Sequence, residues 1–166
     1  MVLKLRCLSD VDFDRLMELY ADVCMAAGNR LAPGASPAHQ RELVREELRL
    51  DLRDGFFRQK GAAGYILTEA DGTYLSGAWL EPYRDGILLQ ALTTRPDRRR
   101  EGHADRLLRS LLGELPAGSR VYSHVGRTNA ASAGVHLGCG FRKTQEFAVM
   151  LDGTVTTAYH TYFLAI

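Results

Sequence analysis

The chain has 166 residues, 46% hydrophobic and 25% charged, the composition of one globular domain long enough to bury its own core. A formal net charge of +1 excludes a global electrostatic pull toward nucleic acid or an acidic membrane, so any recognition by charge must be local. The three cysteines, Cys7, Cys24 and Cys139, lack metal-ligand spacing and fit a reduced protein, and MVLKLRCLSD has no apolar leader, so the expected location is the cytoplasm, with no metal and no membrane partner.

Residues 2 to 7 alternate like a short strand. Ser9 and Asp10 suit a helix cap, and Phe13, Leu16, Met17, Tyr20, Val23, Cys24 and Ala27 give the following helix one apolar face. A turn-rich loop from Gly28 ends at Ser36 and Pro37, which read as N-cap and first residue of a second helix reaching about Leu52. Its narrow stripe, Leu43, Val44, Leu48 and Leu52, predicts a surface position. After Gly55 the pattern changes to strands: residues 64–68 and 74–80 form a hairpin around Asp71-Gly72, and Arg84-Asp85-Gly86 turns into a third strand at Ile87. A helix over 102–115, a strand over 120–125, a short helix over 129–137 and two strands over 141–151 and 155–165 complete the order. A helix crossing between strands 87–92 and 120–125 makes those two strands parallel.

The segment from Leu88 to Leu115 carries the most chemistry. An apolar strand passes through Thr93, Thr94 and Pro96 into Arg95, Arg98, Arg99 and Arg100, then Gly102 and Ala104 open a helix. Its apolar positions, Ala104, Leu107, Leu108, Leu111, Leu112 and Leu115, fall on one face. A tight small-residue turn at a helix start exposes unpaired backbone N–H groups at the positive end of the dipole, an anion site suited to a pyrophosphate. Nucleic acid is the sharper rival for a basic loop, but near-neutral charge and the lack of an aromatic stacking platform oppose it.

Arg99, Gly102 and Ala104 meet an Arg/Gln-x-x-Gly-x-Gly/Ala pattern, and Asn129 followed by Gly140-Phe141 meets a second one in the right element order. Together they make the chain resemble the GNAT superfamily of acetyl-CoA-dependent N-acetyltransferases. The resemblance implies a single acyltransferase domain over residues 1–166 in the α/β (α+β) class. Its expected architecture is a mixed, mostly antiparallel sheet of about seven strands, with helices on both faces and a central parallel pair that splays apart. It implies acetyl-CoA as co-substrate, with Leu92, Thr93 and Thr94 along the pantetheine arm. Arg99, Arg100, Gly102, His103 and Ala104 would lie around the pyrophosphate, and Asn129 and Ser132 on the far side. The partner is an amine on a small molecule or peptide, and exposed strand edges are compatible with a homodimer.

His136 stands where the family usually carries a tyrosine that protonates the departing CoA thiolate. An imidazole of ordinary pKa about 6.5 has the chemistry for that step, the alternative being a polar residue closing one turn of a small helix. A primary alkylamine of pKa about 10.4 must lose a proton before it attacks. Many family members place a glutamate on the strand equivalent to 87–94, but here that strand offers only Gln90. Glu81 on the preceding strand and His124 across the gap are the remaining candidates for the base. Cys139 and Tyr122 are weaker candidates for the acid. The departures at Gln90 and His136 also support a rival class, a non-catalytic acyl-CoA-binding or regulatory module of the same fold.

Overall fold

The computed structural model describes residues 1–166. Seven strands form one sheet in the order β1-β2-β3-β4-β5-β9-β6. They are β1 (Val2–Leu5), β2 (Ala63–Thr68), β3 (Tyr74–Tyr83), β4 (Gly86–Thr94), β5 (Arg120–Gly126), β6 (Arg142–Gln145) and β9 (Tyr159–Ala165). A small hairpin of β7 (Ala148–Val149) and β8 (Val155–Thr156) stands apart from it. All sheet pairings are antiparallel except β4 with β5. The expected α/β class, strand number and central parallel pair therefore agree with the observed fold.

Helices cover both faces, which is why every residue of β2 is buried. On one side, α4 (His103–Gly113) lays Leu107, Leu108 and Leu111 against Tyr65, Leu67, Ala78, Leu89 and Val121. On the other, α1 (Phe13–Leu19) and α3 (Pro37–Asp54) cover a second cluster of Leu16, Leu19, Leu52, Ile66 and Trp79, and α2 (Ala21–Leu31) packs on α3. The Trp79 ring lies over its cross-strand partner Gly64, where a Cβ would sit 2.6 Å from the ring. No helix is long and apolar enough to cross a membrane.

Three local expectations differ from what is found. The first helix is two, meeting at Tyr20, and Asp12 rather than Ser9 or Asp10 caps α1, accepting from the Arg15 N–H at 3.1 Å. Asp10 instead accepts from the backbone N–H groups of Arg6 and Cys7. The expected apolar face does not run on through the break: α2 packs on α3 rather than on the sheet, and Val23 is 62% exposed. The second helix is capped by Ser36 and lies at the surface as expected, with only Val44 and Leu52 of its stripe buried. The last two strands are each interrupted. β6 shifts register against β9 between Lys143 and Gln145, and the chain then leaves the sheet to form the β7–β8 hairpin around Asp152-Gly153.

Candidate active site

β4 and β5 pair only from Ile87 with Val121 to Leu89 with Ser123. Beyond that point the strands diverge, although β4 continues to Thr94 and β5 to Gly126. A bulge drives the divergence. Gly77 faces Thr93 and Trp79 faces Gln90, so Ala91 and Leu92 together stand opposite Ala78, and Ala91 takes a left-handed φ of 50°. Tyr20, at the joint of α1 and α2, holds the bulge. Its hydroxyl donates to the Ala91 carbonyl (2.8 Å) and accepts from Trp79 Nε1 (2.9 Å), and burial raises its pKa above the usual phenol range.

The opening is a cavity of about 720 Å³ walled by Gln90, Ala91 and Leu92 of β4, Ser123 and His124 of β5, and Asn129, Ser132 and His136 of α5 (Ala130–Gly138). The β7–β8 hairpin contributes Met150 and Asp152. A second groove of about 590 Å³ runs from Leu92, Thr93 and Thr94 past Arg99, Arg100, Gly102, His103 and Ala104, with Asn129 and Ser132 opposite. Leu92, Asn129 and Ser132 line both, so groove and gap share a wall. All ten residues expected along the donor thus border one groove.

At the head of that groove α4 starts without a side-chain cap; Gly102 is its N-cap at φ 79°, and a Cβ there would meet nothing within 4 Å. Arg100 is also left-handed, at φ 70°. Uncapped N–H groups beside open space fit a phosphate anion. The arginine side chains are largely committed elsewhere: Arg95 to Glu18 and Asp97, Arg98 to Glu69 and Glu101, and Arg99 to Asp22 at 2.6 Å. His103 contacts Glu101 at 3.1 Å. The grip is therefore offered by main chain more than by charge. Asn129 accepts from the Ser132 N–H (3.0 Å), which caps α5 and fixes that side of the groove.

The candidates for proton transfer are not equivalent. His136 is 1% exposed, with Nδ1 2.8 Å from the Ser132 carbonyl and Nε2 2.9 Å from Ser123 Oγ. Burial holds its pKa below the ordinary imidazole value, against the Ser132 carbonyl, which raises it. His124 borders the gap with Nε2 buried and unpartnered, and burial, then the Arg84 charge, lower its pKa. Glu81 is 2% exposed and does not reach the gap: Gln59 Nε2 donates to it at 2.6 Å and Gln90 Nε2 donates from the other side. Burial raises its carboxyl above the usual range. Tyr122 faces away, donating to Asp85, and Cys139 is tied to Asp105 with its thiol pushed up to about 11 by burial. No three His, Cys, Asp or Glu side chains are arranged to hold a metal ion.

Two residues at this site escaped the sequence reading. Ser123 carried a signal: it interrupts a buried face, Val121-Ser123-Val125, with a hydroxyl. Tyr20 carried none, since its partner lies 71 residues away.

The acetyltransferase (GNAT) family profile matches residues 16–141. No curated protein sequence matches the chain. Among solved structures the fold is similar to a GNAT-family acetyltransferase from Bacillus cereus ATCC 10987, 18% identical over 99% of this chain and 97% of that one, with TM-score 0.62. It is also similar to the PaiA N-acetyltransferase of Thermoplasma acidophilum in complex with coenzyme A, 14% identical over 100% and 99%, with TM-score 0.61. A third similar structure, histone acetyltransferase HPA2 and related acetyltransferase from Corynebacterium glutamicum ATCC 13032, is 16% identical over 99% and 95%, with TM-score 0.65.

Proposed function

Because the chain belongs to the GNAT family of acetyltransferases, we propose that it transfers an acetyl group from acetyl-CoA to an amine that attacks the thioester directly. The observation that carries this reading is the continuity of the groove at α4 with the gap between β4 and β5, through Leu92, Asn129 and Ser132. Backbone N–H groups at the start of α4 hold the pyrophosphate, and the β4 edge from Leu92 to Thr94 receives the pantetheine arm. The thioester then lies in the gap, and a β4 N–H near Leu92, re-aimed by the bulge, stabilises negative charge on its carbonyl oxygen.

On the acceptor side, Glu81 works as an orienter. It accepts from the Gln90 amide nitrogen, which leaves the Gln90 carbonyl to receive an N–H of the incoming amine. His136 and His124 are the two imidazoles of the gap and move protons between amine and thiolate. The three unpaired cysteines fit a reducing compartment, and the proposed location is the cytoplasm.

The test is CoA thiol release from acetyl-CoA across a panel of a polyamine, amino acids, an aminoglycoside and a peptide with a free amino terminus. Saturable, amine-dependent release is expected. Acetyl-CoA binding without release on any amine would overturn transfer in favour of a non-catalytic binding module.

A further inference from the structure

Ser123 and His136 are both almost fully buried, yet both border the gap. His136 Nδ1 lies 2.8 Å from the Ser132 carbonyl, a group that can only accept, so Nδ1 carries the ring hydrogen. Nε2 is then a bare lone pair, and the Ser123 hydroxyl 2.9 Å away donates to it. The ring is clamped by Phe141, edge-on at 5.1 Å, and by Tyr162 at 5.8 Å. No carboxylate touches the pair. The titratable groups around it are His124 on β5, Asp152 in the β7–β8 hairpin, and Tyr159 and Tyr162 on β9. A serine hydroxyl aimed at an imidazole whose other nitrogen is fixed is the arrangement of a proton relay.

We propose that Ser123 is the catalytic hydroxyl of acetyl transfer and that His136, acting through it, stores the proton between the two halves of the reaction. The inference rests on the acetyl-transfer reading. As the amine nitrogen bonds to the thioester carbon, its proton passes to Ser123 Oγ while the serine's own proton passes to His136 Nε2. As the C–S bond breaks, Nε2 returns its proton to Ser123 and the serine hydroxyl protonates the thiolate sulfur. Amide and free thiol leave, and the pair is back in its starting state. An imidazole is shorter than the tyrosine usual in the family, and Ser123 supplies the hydroxyl that the substitution removes. The relay starts from neutral His136, which burial favours.

The experiment compares wild type, Ser123→Ala, Ser123→Thr and His136→Phe in kcat, acetyl-CoA affinity and pH profile, with ¹⁵N NMR of the His136 ring. Ser123→Ala is expected to lower kcat about 100-fold, the usual size of a positioned acid–base contribution, with acetyl-CoA affinity within about threefold. It should also erase the fall in kcat at saturating amine that wild type shows below the ordinary imidazole range, where burial places the His136 pKa. Ser123→Thr, which keeps the hydroxyl, should recover at least about a tenth of the wild-type rate. The NMR spectrum should show the Nδ1–H tautomer at neutral pH. A wild-type kcat in Ser123→Ala, an intact acid limb in that variant, or an acetylated Ser123 after incubation with acetyl-CoA would each overturn the relay. Should wild type release no thiol with any amine, acetyl transfer itself fails; an Nε2–H tautomer overturns the pair independently.

Discussion

The two walls of the gap are built on different principles. The proposed donor wall, from Leu92 to Ala104, is main chain: a bulged strand edge, two left-handed residues and an uncapped helix start, with most arginine side chains spent on neighbouring carboxylates. The proposed acceptor wall is side chain: Tyr20 on Ala91, Gln90 on Glu81, and Ser123 on His136, each a contact between different elements of the fold. Backbone recognition needs small residues at fixed spacing and tolerates almost any neighbour, so it leaves a motif. Side-chain recognition needs particular partners brought together by the fold, so it leaves isolated residues. This is why the chain declares its donor more loudly than its acceptor.

The difference can be broken by substitution. Gly102→Glu, which adds a carboxylate and a strained φ at the head of the groove, is expected to raise the KM for acetyl-CoA at least about 100-fold, about 2.7 kcal/mol. Circular dichroism should stay unchanged, since a Cβ there touches nothing within 4 Å. On the acceptor wall, Tyr20→Phe strands the Ala91 carbonyl and the Trp79 N–H, and urea unfolding should show a loss of about 1–3 kcal/mol together with a reduced kcat. Gln90→Leu should raise the amine KM about tenfold, about 1.4 kcal/mol, and leave the acetyl-CoA KM within about twofold.

A smaller effect separates the walls by pH. His136 is held neutral when folded, so the unfolded chain binds the extra proton first. Its contribution to stability is complete above pH about 6.5 and declines as the pH falls from there toward the lower folded value. The urea midpoint should therefore drop less between pH 7.5 and 5.5 in His136→Phe than in wild type, whereas Gly102→Glu should follow the wild-type slope. The smallest effect is expected of Arg99→Ala. Arg99 is half exposed and paired with Asp22 on the surface, and its loss should weaken acetyl-CoA less than about threefold.

The same division governs what the sequence reveals about the fold. The stripe of Leu107, Leu108 and Leu111 predicts α4 and its buried face, and the crossover it makes forces β4 and β5 parallel. Asp152-Gly153 predicts its turn. The break at Tyr20 is invisible because apolar periodicity reports which face is buried and not where the helix axis changes. The interruption after Gln145 is equally silent, because the apolar run from Phe147 to Leu151 reads as more of the same strand although it has left the sheet. Glu81 reads as the polar end of a strand, and only the fold encloses it between Gln59 and Gln90. Ser123 was legible in principle, as the one hydroxyl on the buried face of β5, but its meaning depends on a histidine 13 residues away on another element.

A calorimetric titration of acetyl-CoA into wild type, Gly102→Glu and Arg99→Ala tests the main-chain donor grip most directly. One-site binding that Gly102→Glu abolishes and Arg99→Ala leaves nearly intact is the predicted result. Absence of binding heat in wild type, or a loss in Arg99→Ala as large as that in Gly102→Glu, would contradict it.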